Sequence, residues 1–284
     1  MATVPPEPTF DVPALLARER GALMAALQRL GPDDWARRTA CPGWTVKDLT
    51  SHLWSTDLHV LSRLRDGYAR VEDVDGGAAV DRAAATRAGN EHNERWVAAT
   101  RAIAPRVLLD RLQESGPQVT TVFRVGDPGA PGEAVSWVGT RRQPLWFCGA
   151  RELTERFVHQ QQLRAAVGQL PFDDDDVLAA VVDTFSHAFP ASLGTTSAPE
   201  GTSVAVVVDG GAIARHWTFT RIAGGWVGRD GPGPDVAAHL RTDPDAFWRL
   251  LSGNLPPGEQ VQRVDLAGTP TLFAALRDTR AVLM

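Results

Sequence analysis

Apolar residues recur every three to four positions through DVPALLARERGALMAALQRL (11–30), and the pattern stops at Gly31-Pro32, which predicts a first amphipathic helix. A turn-rich connector, DDWARRTACPGW, follows. Thr45-Val46-Lys47-Asp48 has the form of a capping box, a hydroxyl at the cap and a carboxylate three residues later. A second helix should start there and run to about Arg65. Helical periodicity returns over 80–115, with Pro105 as a break between two pieces of a third helical stretch. The Gly- and Pro-rich GDPGAPGEAVSWVGTRRQP (126–144) cannot be regular helix and reads as a loop. Leu145 to Val167 predicts a fourth helix.

The texture changes beyond residue 170. DDDDVLAAVVDTFSHAFPASL predicts a further helix, and SVAVVVD, ARHWTFTRI and GGWVGRD read as short strands, with another candidate strand at 235–243. PDAFWRLLSG and TPTLFAALRDTRAVL predict closing helices. No internal repeat is present. Four long helices with one longer connection describe an all-α four-helix bundle, followed by a smaller α+β part. The expected division is residues 1–170 and 171–284.

Composition narrows the function classes. The 284 residues are 43% hydrophobic and 22% charged, ordinary for a globular protein. A net charge of −5 offers no basic surface to neutralise phosphates, which argues against nucleic-acid binding. The first residues, MATVPPEPTFDVPALLARER, lack the apolar core of a signal peptide, and no run approaches membrane-spanning length. A cytoplasmic protein with no membrane contact is expected. Cys41 and Cys148 are too few for a disulfide framework and lack CxxC spacing, so any metal must be held mainly by histidines and carboxylates.

Three residues have that character. Glu155 and His159 in RELTERFVHQQQL stand four apart, on one helical face about 6 Å apart along the axis. Alone, such a pair gives a helix a few tenths of a kcal/mol. Leu153, Phe157 and Val158 enclose it, however, and an enclosed carboxylate and imidazole need a partner. His52, in CPGWTVKDLTSHL, could complete the set from a facing helix. Two imidazoles and one carboxylate leave a fourth position on zinc for water or substrate. His59, seven residues after His52 and near the same face, is a decoy or a supporting group, and spacing alone leaves both open. Cys148, about 10 Å along the helix from Glu155, reads as core, and Cys41 as packing in its turn.

Trp35, then TACPGWTVKDL (39–49) with His52-Leu53, together with Thr154-Glu155 and Val158-His159, resemble the mycothiol-dependent maleylpyruvate isomerase family, a branch of the DinB-like metalloenzymes. FWRLLSG, VDLAGTPTL and the last short helix resemble that family's sterol-carrier-like second domain. The resemblance implies a divalent metal, zinc before others, held by His52, Glu155 and His159, and mycothiol as thiol cosubstrate. Zinc lowers the pKa of a thiol in its open position, producing the attacking thiolate. In an isomerase the thiolate adds to an activated cis double bond, the bond rotates while single, and elimination returns the thiol. A transferase stops at the thioether.

The resemblance also places a catalytic arginine on the third helix, where Arg82 is the nearest match, with Arg87 behind it. One departure stands out. Many relatives carry an acidic residue three positions after the ligand histidine, whereas this chain reads His159-Gln160-Gln161-Gln162. Loss of that carboxylate removes an outer charge and points to a different electrophile. The same ligands could alternatively serve a non-catalytic metal-containing protein that binds a small molecule. A zinc hydrolase is disfavoured, since no HExxH arrangement supplies a general base. Oligomeric state is not readable from the sequence.

Overall fold

The structure, a computed structural model, describes residues 8–68, 82–139 and 141–281, and of residues 82–86 the backbone only. A helical N-terminal region is followed by a sheet-containing C-terminal region. Two compact units result among the described residues, one from residues 8–133 with Arg142–Val177, the other from Ala134–Arg141 with residues 178–281.

Helix α1 (Val12–Leu27) starts where Asp11 caps the Ala14 N–H at 3.0 Å. Helix α2 (Val46–Val60) has the capping box read from its sequence: Thr45 Oγ1 accepts from the Asp48 N–H at 3.2 Å, and Asp48 Oδ2 accepts from the Thr45 N–H at 3.1 Å. It continues into a π-helical turn at Leu61–Arg65. Between α1 and α2, Cys41-Pro42-Gly43-Trp44 is a tight turn. The Trp44 N–H donates to the Cys41 carbonyl at 3.1 Å, with Pro42 and a positive-φ Gly43 (81°) in the two central positions, the pattern of a type II turn.

The third helical stretch is two helices, α3 (Arg82–Thr100) and α4 (Pro105–Val125), separated at Pro105 as its ring demands. Helix α4 runs ten residues beyond the periodicity that ended near 115, straight through Gly116-Pro117. Gly116 is needed there, because a Cβ would sit 3.0 Å from Arg20 Cγ where that side chain crosses from α1. Buried Leu112, Val119 and Phe123 on both sides of the proline hold the helix in place against the lost hydrogen bond.

The expected loop at 126–144 contains two short paired strands, β1 (Pro131–Ala134) and β2 (Arg142–Pro144). The strand can lie close because Gly132 has no side chain; a Cβ would meet Cys148 Sγ at 2.5 Å, and the Glu133 N–H donates to that sulfur at 3.2 Å. Helix α5 (Leu145–Val167) ends at Gly168, whose φ of 71° supplies the left-handed C-terminal stop.

The later region holds α6 (Asp175–Ser186), a short α7 (Phe189–Leu193), strands β3 (Ser203–Val208), β4 (Arg215–Ile222), β5 (Gly225–Asp230) and β6 (Val236–Thr242), helices α8 (Pro244–Leu251) and α9 (Pro257–Arg263), strand β7 (Asp265–Gly268) and α10 (Pro270–Arg277). The sheet order is β5-β4-β3-β6-β7, with β3 and β6 parallel and the other neighbours antiparallel. All six β3 residues are buried, which explains an unbroken apolar run in place of alternation. Phe189, Phe219, Phe247 and Trp217 pack with ring centroids 5.5–6.2 Å apart. The short exposed β7 and helix α9 carry too little apolar pattern to be seen in the sequence.

In the N-terminal unit, α2 and α5 are joined by a buried ion cluster. Asp57 Oδ1 accepts from Arg20 and Arg156, each at 2.7 Å, and Oδ2 accepts from Arg20 at 2.9 Å and from Ser115 Oγ at 2.5 Å. Asp57 and Arg156 have no exposed side-chain surface. Asp57 lies five residues after His52, and Arg156 adjoins Glu155, so this pair fixes how the two helices meet. Among the described residues no helix is long and apolar enough to cross a membrane.

Candidate metal centre

The helix crossing brings His52 of α2 to Glu155 and His159 of α5. Both imidazole Nε2 atoms point to Glu155 Oε1, His52 at 3.4 Å and His159 at 3.2 Å, across 103 and 4 residues of sequence. One donor atom from each residue lies within 4.8 Å of the other two. Ligands about 2.1 Å from a tetrahedral zinc stand about 3.4 Å from each other, so the spacing suits such an ion. The rings of His52 and His159 meet edge to face, 5.0 Å between centroids.

Both histidines are buried, while the Glu155 side chain is 17% exposed and marks the open side. Burial pushes the His52 pKa down, and the Glu155 hydrogen bond only partly offsets it. Burial works in the same direction on His159, yet contacts with Cys41 and Glu155 overcome it and raise its pKa to about 10. Glu155 is opposed by burial too, but its hydrogen bonds to His159 and His52 hold it well below the usual carboxylate range. The trio therefore offers one neutral imidazole, one carboxylate and one imidazole holding a proton that a cation would displace.

The tight turn before α2 delivers two more residues here. Trp44 packs against His52, with centroids 5.2 Å apart, and is tied by its indole N–H to Glu94 at 2.8 Å. Cys41 was expected to do no more than pack in the turn. Its sulfur in fact lies 3.2 Å from Gln162 Oε1 and 4.0 Å from His159 Nδ1, so it sits directly behind a proposed ligand. The CPGW sequence was the available signal: a proline-glycine turn a few residues before a histidine-bearing helix folds its flanking side chains back onto that helix.

The three glutamines after His159 face different neighbours. Gln160, in the amide orientation that satisfies its surroundings, donates to Glu19 Oε1 at 3.1 Å and accepts from the Leu23 N–H at 2.8 Å. Gln161 clamps the backbone of Phe172 through both its amide atoms, at 2.8 and 3.0 Å. Gln162 Oε1 stands 2.8 Å from His159 Nδ1. The position expected to have lost its outer-shell role therefore keeps a hydrogen-bonding one, with a neutral amide.

His59 lies outside the trio, half exposed, with Nε2 3.2 Å from Glu133 Oε2. Cys148 is buried core, as its spacing indicated. The Arg82 side chain falls outside the described residues. The cationic group beside the trio is Arg151, one turn before Glu155 on the same helix face and 29% exposed, with Nη1 3.0 Å from Glu152 Oε1. Burial would lower its pKa, but the surrounding carboxylates Glu152, Glu155 and Glu133 raise it, so it stays charged.

A helical unit that turns two imidazoles and a carboxylate onto one point, followed by a mixed sheet, defines a class: two-part proteins with a candidate two-histidine, one-carboxylate centre among helices. The chain belongs to the mycothiol maleylpyruvate isomerase family, whose N-terminal domain matches residues 16–164, more than half of its length. Among solved structures it is similar to the mycothiol-dependent maleylpyruvate isomerase and to its H52A mutant, each with 12% identity and a TM-score of 0.55, over 90% of this chain and 91% of theirs. At that identity the likeness is one of fold. No curated protein matches the chain by sequence.

Proposed function

We propose that the chain is a zinc- and mycothiol-dependent enzyme that activates a thiol for addition to a small electrophilic substrate, by cis–trans isomerisation or by S-transfer. In this reading the N-terminal unit is a DinB-like four-helix bundle and the C-terminal unit a sterol-carrier-like domain. One observation carries the proposal: His52, Glu155 and His159, far apart in sequence, converge to within 4.8 Å through the atoms that bind metals. Zinc held there would lower the pKa of a thiol in its remaining position, so that a thiolate is present at neutral pH.

The protein's own residues supply the rest. His52 and His159 would hold the ion through Nε2 and Glu155 through Oε1. Trp44 shields the His52 side from water, leaving access past Glu155. Arg151 stands where a bidentate guanidinium could hold a substrate carboxylate while the thiol adds.

Metal analysis tests the centre. The purified protein should carry one zinc per chain, and His52→Gln and Glu155→Gln should each lose it while remaining folded. Full retention in both variants would sink the proposal. A thiol-addition assay with mycothiol and an enone acid then reads the chemistry, and zinc-loaded protein that neither binds nor uses the thiol would indicate a binding protein instead.

A further inference from the structure

The ring nitrogen of His159 that faces away from Glu155 is Nδ1, which meets Gln162 Oε1 at 2.8 Å and, at the longer distance of 4.0 Å, Cys41 Sγ. The same oxygen is 3.2 Å from Cys41 Sγ. An amide oxygen has two lone pairs and a thiol offers one weak donor, so this carbonyl can accept from His159 and Cys41 together. A reversed amide would turn its NH₂ toward Nδ1 and need a lone pair there. The neutral ring would then carry its proton on Nε2, the atom that must be free to bind an ion. His52 has no equivalent support: its Nδ1 finds no partner among the described residues, and Trp44 packing orients its ring.

Charge follows from the same residue. With two neutral imidazoles, one carboxylate and a divalent ion, the ion and its ligands would carry a net charge of +1; Arg151 beside them is paired with Glu152, and Gln162 adds nothing. A carboxylate in its place would bring the total to zero.

We propose that Gln162 is the positioning residue of this centre, its carbonyl holding the Nδ1 proton of His159 so that Nε2 faces the ion, and its neutrality leaving a net positive site that selects an anionic ligand such as a thiolate. The inference rests on the metal-centre reading of the preceding section and assigns a role that this chain's own HQQQ run supplies.

The test uses the full-length protein with Gln162→Leu, which keeps the bulk and removes the acceptor, and Gln162→Glu, which keeps the acceptor and adds charge. Zinc affinity is measured by chelator competition, the His159 Nδ1 proton by ¹⁵N-edited NMR, and anion affinity by thiocyanate titration of cobalt-loaded protein. Gln162→Leu should lose about 10- to 100-fold in zinc affinity together with the protected Nδ1 proton, while its metal-free melting stays close to that of the parent. Gln162→Glu should retain zinc yet bind thiocyanate about tenfold more weakly, from the added negative charge nearby. Equal zinc affinity in Gln162→Leu and the parent overturns the positioning role, and equal thiocyanate affinity in Gln162→Glu overturns the charge selection. A parent protein that binds no zinc overturns the metal-centre reading itself, a result distinct from either.

Discussion

His159 concentrates the chemistry of the site in one side chain. Without a cation it is held protonated up to about pH 10 by Cys41 and Glu155 against the pull of burial. Its raised pKa means that the pair with Glu155 contributes stability fully below the ordinary imidazole value, and that this contribution is lost as pH rises through about 10. Metal binding responds in the opposite sense, since the ion must displace the proton. Zinc affinity should therefore rise about tenfold per pH unit between pH 7 and 9 and level off near 10. His52, whose pKa is lowered, adds no second proton in that range. Chelator competition at several pH values checks this, and a flat profile would place the proton elsewhere.

At the scale of elements, the centre depends on how α2 and α5 are joined. Asp57 is the carboxylate that Arg20 and Arg156 share where all three are buried. Asp57→Ala removes the carboxylate both guanidinium groups are hydrogen-bonded to and should cost about 3–5 kcal/mol in urea unfolding. The turn ahead of α2 is a second control point. Gly43 has a φ of 81° with open space around its Cβ position, so Gly43→Ala meets backbone strain without a clash. A loss of about 1–2 kcal/mol is expected. Because the turn carries Cys41 and Trp44 to the histidines, zinc affinity should fall with it, measured on the folded variant. Unchanged affinity would show that the turn does not set the ligand geometry.

For the whole molecule, binding to the folded state alone adds stability by mass action. Zinc at 100 times its Kd should add about 2.7 kcal/mol to the unit that holds the site, visible as a raised Tm that His52→Gln abolishes. A rise that survives in His52→Gln would mean that the ion binds somewhere else. Much of this architecture was legible from local signals. The Thr45 capping box, the break at Pro105, the span Leu145 to Val167 and the Glu155–His159 pairing each follow from rules acting over a few residues, so they can be read along the chain before it folds. Other features needed the folded chain. The persistence of α4 through Gly116-Pro117 depends on Arg20 crossing from α1, and β7 takes its place only by pairing with β6. The meeting of His52 with α5, the return of Cys41 behind His159 and the contact of its sulfur with the Gln162 amide were settled by the folded chain, because a contact between residues over 100 positions apart is set by helix crossing and buried charge, which leave no periodic trace along the chain.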